Sequence, residues 1–324
     1  MAYRLGFAVK VLGDGGMPSH DTRRHGSDPH LRVSLERLAA ILDYLEAHDV
    51  RMYRMASGLV PYGSHPDMPR FHRQVEECAA ELAALGQRVR AAGVRLSFHP
   101  GQYAVLNSER PEVRAAAALD FELQASVLDA MGLGPEAVVV THVGGGAGGL
   151  EAAAGRFEEG LALLGDAARA RLVVENDDRL FGLADVLGLH RRTGLRVVWD
   201  ILHHFCRDPE RIPVGEALRL ALATWDAGTT PKIHYSSPRT DVEERKKRVG
   251  RRVERRPVLP PLRAHADLID PVGFEDFLAG PAAGLDFDLL LEAKAKDLAL
   301  RRLRDQLVER GWRWEEGRLR PPAS

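Results

Sequence analysis

Six short apolar runs in this sequence end on, contain or lead directly into a residue that binds metals. VRLSF (94–98) is followed by His99 and AVVVT (137–141) by His142, while RLVVE (171–175) ends on Glu175 and RVVWD (196–200) on Asp200. KIHYS (232–236) contains His234, and FDLLLE (287–292) ends on Glu292. Taken singly, such a histidine is commonly a surface or satisfied core group, and such a carboxylate a helix cap. Gathered in one confined mouth, three carboxylates repel one another unless cations neutralise them, and imidazole beside carboxylate is a ligand set for first-row metals. His203, three residues past Asp200, and His265, in the long connection after the seventh run, can reach the same mouth. Three or four such ligands serve one metal, so eight point to two or three ions. Ligation by nitrogen and oxygen without thiolate suits manganese, magnesium or zinc. His204 cannot easily face the same way as its neighbour His203 and is read as a packing residue.

Two earlier runs, YRLGFAV (3–9) and VRMYRM (50–55), bring the number of expected strands to eight. Between them lie stretches such as LRVSLERLAAILDYLEAH, whose apolar residues recur every three or four positions, as crossover helices require. Strands apolar at nearly every position, alternating with helices, predict an α/β chain built as a single (β/α)8 TIM barrel. In that fold the C-terminal ends of the strands share one face, where active sites are built. A doubly wound open sheet is the rival, but it favours a glycine-rich phosphate turn after the first strand, and GDGG (13–16) does not match GxGxxG. The expected organisation is one barrel over 1–310 with an insertion at about 240–262, then a C-terminal tail over 311–324, of which RLRPPAS reads as frayed.

With 45% apolar and 28% charged residues, the 324-residue chain has the composition of a folded globular protein rather than a disordered or fibrous one. No run is long enough to span a membrane, and the N-terminus does not read as a signal peptide, so the chain is expected in the cytoplasm. Cys78 and Cys206 form no CxxC pair, which argues against a disulfide framework. Net charge is only −1, so a polyanion must be met by a local basic patch. RKKRVGRRVERR (245–256) is the densest one, with eight basic residues in twelve; a solvated or disordered charge run is the alternative reading.

HPGQY (99–103), THVGGG (141–146), LVVENDD (172–178), WDILHHF (199–205), PKIHYSSP (231–238), RAHADLID (263–270) and LLLEAKAKDLAL (289–300) together resemble the UV damage endonuclease family. The motifs run in order from about residue 3 to 310. The resemblance implies a (β/α)8 barrel related to endonuclease IV, which nicks double-stranded DNA immediately 5′ to ultraviolet photoproducts, cyclobutane pyrimidine dimers and 6-4 photoproducts alike. Abasic sites are a further implied target, and manganese the implied metal. It maps the ligands onto His99, His142, Glu175, Asp200, His203, His234, His265 and Glu292, and it is the resemblance that selects His203 and His265. It also implies that Lys232, two positions before His234 and on the same strand face, can be carboxylated into a further oxygen ligand; balancing the charge of Glu175 or Glu292 is the plainer role.

Glu175 and Lys232 are thus the catalytic candidates, with Glu175 bridging metals. Gln102 and Tyr103 correspond to a pair pushed into the duplex where damaged bases are displaced, unless Tyr103 merely packs under its loop. Asn176, Asp177 and Asp178 are expected to orient ligands or cap the next helix. Arg23, Arg24, Arg54, Arg179 and Arg239 are candidate phosphate contacts or ordinary solvated charges. In this family the connection between SSPR (236–239) and RAHAD (263–267) is commonly short, so the basic insertion is a departure. The expected protein is a monomer acting on DNA with ultraviolet lesions. A metal-dependent sugar isomerase of similar barrel, an apurinic endonuclease and a metal-stabilised nucleic-acid binder are the competing readings.

Overall fold

Every one of the eight apolar runs contains a strand in the computed structural model of the protein, which describes residues 1–249 and 252–322. These are β1 (Tyr3–Ala8), β2 (Met52–Arg54), β3 (Arg95–Ser97), β4 (Val139–His142), β5 (Leu172–Glu175), β6 (Arg196–Val198) and β7 (Lys232–Tyr235). After two strands of the insertion, β8 (Glu243–Val249) and β9 (Arg252–Val258), comes the eighth, β10 (Asp288–Leu291). The strands β1, β3, β5, β6, β7 and β10 are buried at every position, the pattern of parallel strands covered on both faces. One sheet runs β7–β10–β1–β2–β3 in parallel and a second runs β4–β5–β6. Single parallel bridges, Phe98 to Val139 and Asp200 to His234, touch between the two sheets on either side.

Helices cover these strands with the expected stripe. In the helix Leu31–Ala47 the buried residues include Leu31, Leu35, Leu38, Ile41, Leu42 and Leu45, and the His30 side chain caps its start by accepting from the Arg32 N–H. Helix-to-helix distance is set by glycine at one point. A Cβ on Gly86, in the helix Ala79–Ala91, would lie 1.7 Å from the carbonyl oxygen of Met131, at the end of the helix Pro111–Ala130. Gly86→Ala is therefore expected to force these helices apart and to cost about 3 kcal/mol in chemical denaturation, the upper range for overpacking.

A charged layer that sequence patterning did not reveal closes the N-terminal end of the strands. Asp288, wholly buried at the start of β10, receives Arg95 at 2.8 Å and Arg4 at 2.9 Å, and Arg95 also donates to the Glu136 carbonyl.

One expectation changes, and one alternative reading loses ground. RLRPPAS is not frayed over 318–320: β11 (Arg313–Glu315) and β12 (Arg318–Arg320) form a hairpin, and β12 pairs antiparallel with β1 so that Leu319 lies opposite Tyr3 and is fully buried. Tyr3 and Arg4 precede the residues of β1 that pair with β10 and β2, and an apolar residue at the right alternation fills the place beside them. Ala323 and Ser324, the end of that tail, lie outside the described residues. The basic insertion is also ordered in part, as the antiparallel ribbon β8–β9. Among the described residues no helix is long and apolar enough to cross a membrane.

Candidate metal centre

Parallel register brings the polar strand ends together. His142 is the direct partner of Glu175 across β4 and β5, and Asp200 bridges to His234 just beyond β6. Glu175 is the hub. Its carboxylate lies 3.1 Å from His99 Nε2, 3.7 Å from His142 Nε2, 3.5 Å from His203 Nδ1 and 2.9 Å from His234 Nδ1. Glu292 lies 3.5 Å from His234 Nδ1 and 3.7 Å from His265 Nδ1. Three overlapping groups bring donor atoms close enough to hold a metal ion: His99, His142 and Glu175; Glu175, Asp200 and His203; Asp200, His234 and Glu292. His265 is outside these groups but joins the cluster through Glu292 and through His203, whose ring centroid is 6.1 Å away.

Local structure fixes several of these groups. Asp200 is the N-cap of the helix Ile201–Cys206, and one carboxylate oxygen accepts from the His203 backbone N–H at 2.8 Å. This cap holds Asp200 and His203 one turn apart in the mouth. Asn176 links β5 to β6 by donating to the Asp200 carbonyl at 3.0 Å and accepting from the Asp200 N–H at 2.8 Å. His99, His203 and His265 donate Nδ1–H to the carbonyls of Pro100, Asn176 and Glu292, which leaves Nε2 of each as the lone-pair nitrogen. Such bonds to backbone fix the tautomer and ring plane of a metal-binding histidine. Buried Asp200 Oδ2, His142 Nδ1 and His234 Nε2 have no protein hydrogen-bond partner. Orphaned donors and acceptors at this depth cost free energy unless something else satisfies them, and a divalent cation with its waters fits that donor set.

Electrostatics agree with a cationic occupant. Burial raises the Asp200 carboxyl to about 7; the His203 ring opposes this, and Glu175 and Glu292 add to it. Burial opposes charge on His203, yet Asp200, Glu175 and Glu292 outweigh it and raise the imidazole to about 9. Glu175 stays well below the ordinary carboxylate range, since His234 and His142 overcome its burial, and Glu292 is likewise held low against burial by Arg54 and His234. Burial lowers His234 to about 4. Metal and protons thus compete for Asp200 and His203, and the sign is definite: acid favours the protonated ligands, so affinity must rise with pH until His203 has titrated near 9. Titration calorimetry with Mn²⁺ at pH 6.5, in two buffers of different ionisation enthalpy, is expected to show release of about one to two protons per cluster. Heat independent of buffer is the contrary result.

The remaining candidates divide. Lys232 is fully buried, donates to Ser97 Oγ at 3.1 Å, and is held well below its ordinary value by burial, with Arg95 and Arg54 acting in the same sense. Tyr103 does not pack under its loop: it is 84% exposed, beside exposed Gln102. His204 is buried, donates to the Ile212 carbonyl and packs against Trp199, as a packing residue should. The Asp177 carboxylate accepts from the backbone of Arg179, Leu180 and Phe181, which closes the turn before the next helix. Arg54, expected among phosphate contacts, is ion-paired to Glu292 inside the site, and Arg23 is held by Asp21. Arg179 approaches Asp178 at 3.7 Å, Arg239 is paired with Glu243 and Asp267, and Arg24 is exposed. Sequence reading missed the Arg54–Glu292 pair; the arginine at the end of β2, in register with Ser97 at the end of β3, was the available signal.

The family model of UV-endonuclease UvdE matches residues 30–311, a stretch that includes every one of these cluster residues. The chain belongs to the UvdE family. A UV DNA damage endonuclease of Bacillus cereus (strain G9842) is 31% identical over 279 residues, 86% of this chain and 81% of that protein. One of Bacillus pumilus (strain SAFR-032) is 31% identical over 291 residues, 88% and 85% of the two chains. The crystal structure of SacUVDE superposes with a TM-score of 0.77 at 27% identity, covering 95% of this UvdE-family chain and 98% of that one. A D-psicose 3-epimerase superposes at 0.51 with 14% identity, over 89% of this chain and 84% of that one, which speaks to the α/β fold alone. UvdE-family membership settles the competition among function classes left open by composition, and it does so in favour of the nuclease.

Proposed function

We propose that this endonuclease nicks the DNA backbone immediately 5′ to cyclobutane pyrimidine dimers and 6-4 photoproducts, and acts on abasic sites as well. The observation that carries the reading is the buried carboxylate of Glu175, with four imidazoles within 3.7 Å and the carboxylates of Asp200 and Glu292 close by, at the shared end of the parallel strands. The relatives named UV DNA damage endonuclease supply the substrate class. The two single bridges between the sheets support reading the eight strands as one closed (β/α)8 barrel over residues 1–310, interrupted by the basic insertion, with that cluster in its mouth. Two free cysteines accord with a reducing, cytoplasmic setting, and the enzyme acts as a monomer.

In this reading His99, His142, Glu175, Asp200, His203, His234, His265 and Glu292 hold two or three divalent ions, manganese before zinc or magnesium. Ions held there would supply activation of a water and neutralisation of charge on the phosphate and leaving oxygen. Glu175 spans neighbouring sites, and its two oxygens meet different imidazoles. The backbone-bonded rings of His99, His203 and His265 keep their lone pairs fixed, so little reorganisation accompanies reaction. Lys232, a buried amine held well below its ordinary value by burial, is suited to carboxylation, which would convert it into an oxygen ligand. Gln102 and Tyr103, exposed on the loop after His99, fill the stack emptied by displaced bases.

Irradiated and unirradiated plasmid incubated with protein and Mn²⁺ test the reading: nicking confined to the irradiated plasmid is expected, and none on either overturns it. Replacing Gln102 and Tyr103 together by alanine is expected to reduce the preference for irradiated over intact duplex about tenfold or more, since stacking contributes ~1–3 kcal/mol per base. An unchanged ratio of affinities would assign the loop another role.

A further inference from the structure

Residues 243–258 have no part in the metal centre, yet they hold the strongest charge in the protein. This stretch has eight basic residues against three acidic, a net of +5, while the whole chain nets −1, so the rest of the chain carries −6. The positive pole of an otherwise acidic molecule is thus concentrated in the ribbon β8–β9.

Two of the seven pairs in that ribbon set like charges opposite each other and one sets opposite charges. Register places Arg245 opposite Arg256 and Lys246 opposite Arg255, while Lys247 faces Glu254. Like charges directly opposite destabilise an antiparallel pair, and a lone two-stranded ribbon is marginal in water. The neighbouring acids offset little: Glu254 accepts from Arg256 at 2.7 Å and Glu244 lies 3.4 Å from Arg255, in exposed pairs. Val253, opposite Arg248, is 61% exposed and adds little apolar burial. A polyanion laid along the ribbon turns the repulsion into attraction.

The root of the ribbon lies at the metal cluster. Below β8 and β9 the two segments stay paired: Pro238 bridges to His265, the Ala266 N–H donates to the Ser237 carbonyl at 2.9 Å, and the Arg239 N–H donates to the Ala264 carbonyl at 2.6 Å. The Arg239 guanidinium ties Glu243 at the base of the ribbon to Asp267, two residues past His265. Seven pairs at ~3.3 Å per residue give an arm of about 20 Å, along which duplex DNA presents one phosphate charge per ~1.7 Å of axis.

We infer that β8–β9 is an arm that holds the phosphate backbone of duplex DNA beside the incision site, without reading base sequence or damage. The inference rests on the endonuclease reading for its choice of polyanion. Two full-length variants test it by duplex binding across a salt series: one with Arg245, Lys246, Lys247, Arg248, Arg255 and Arg256 all changed to Gln, the other with the four arginines of that set changed to Lys. Both should retain wild-type melting and Mn²⁺ content. In the Gln variant the log–log salt slope should fall by about 0.9 per lost contact, hence by about three or more, with roughly 100-fold weaker binding near physiological salt. Irradiated and intact duplex should lose affinity equally, because phosphate contacts position the protein without reading the lesion. The Lys variant should keep the wild-type slope, since ammonium replaces guanidinium as a point charge. An unchanged slope in the Gln variant overturns the arm, as does a loss confined to irradiated duplex. Wild-type protein that binds duplex through the arm but nicks no irradiated plasmid overturns the endonuclease reading instead, so the two failures are distinguishable.

Discussion

Changing Glu175 to Gln is expected to lower incision of irradiated DNA by about three orders of magnitude or more, while the protein stays folded and keeps most of its affinity for duplex. Four imidazoles converge on this one carboxylate, two at each oxygen, and no other residue of the cluster has that reach. Gln preserves shape but exchanges an anionic acceptor for a neutral amide, one end of which only donates. Donor groups that surround two neighbouring ion positions then lose their shared charge, and the charge neutralisation that ions supply at a reacting phosphate falls with it. The expected effect is at least that of removing a single preorganised electrostatic group, ~10²–10³-fold, because both positions are affected together. Phosphate contacts elsewhere are untouched, so binding should change little. Single-turnover incision, bound Mn²⁺ and thermal melting should be measured on the same preparation. A folded variant with near-wild-type incision would remove Glu175, and with it the proposed centre, from the reaction.

The second large effect concerns stability at the opposite end of the strands. Asp288→Asn is expected to destabilise the protein by about 3–5 kcal/mol, since it leaves the guanidinium of Arg95, wholly buried, and that of Arg4, nearly so, without their shared anion. Arg4 retains Glu136 at 3.0 Å; Arg95 retains only carbonyl partners. Adding Arg95→Met should therefore recover part of the loss, because an unpaired buried charge costs more than an apolar side chain of similar length. Denaturant unfolding of both single variants and of the double variant gives the coupling energy. A single variant within 1 kcal/mol of wild type, the range of an exposed pair, would contradict this account.

Much of the cluster of imidazoles and carboxylates was readable in advance because two local rules coincide there. An apolar run that stays apolar at successive positions reads as a strand buried on both faces, and a polar residue at its end reads as a site. His99, His142, Glu175, Asp200 and Glu292 obey this, and His234 is a polar residue within its run. His203 and His265 do not, since one lies in a helical turn and the other in a long connection, and family resemblance rather than periodicity singled them out. The same rules describe charge without its partner. They marked Arg54 as a basic residue at a strand end, but its pairing with Glu292 depends on strands separated by more than two hundred residues coming to lie in register.

The sequence by itself determined the number and order of the eight parallel strands, the residue types at or near their ends and the location of the basic stretch, because each depends on neighbours within a few positions. Tertiary structure alone decided the rest. It set which nitrogen of each histidine bonds to backbone and which is left over, and it placed the Arg4–Asp288–Arg95 layer at the far end. It also paired RLR at 318–320 with β1 and folded the insertion into a ribbon rooted beside His265. These outcomes rest on backbone pairing between distant segments and on desolvation at the sites where they meet. Neither leaves a periodic trace in the local sequence.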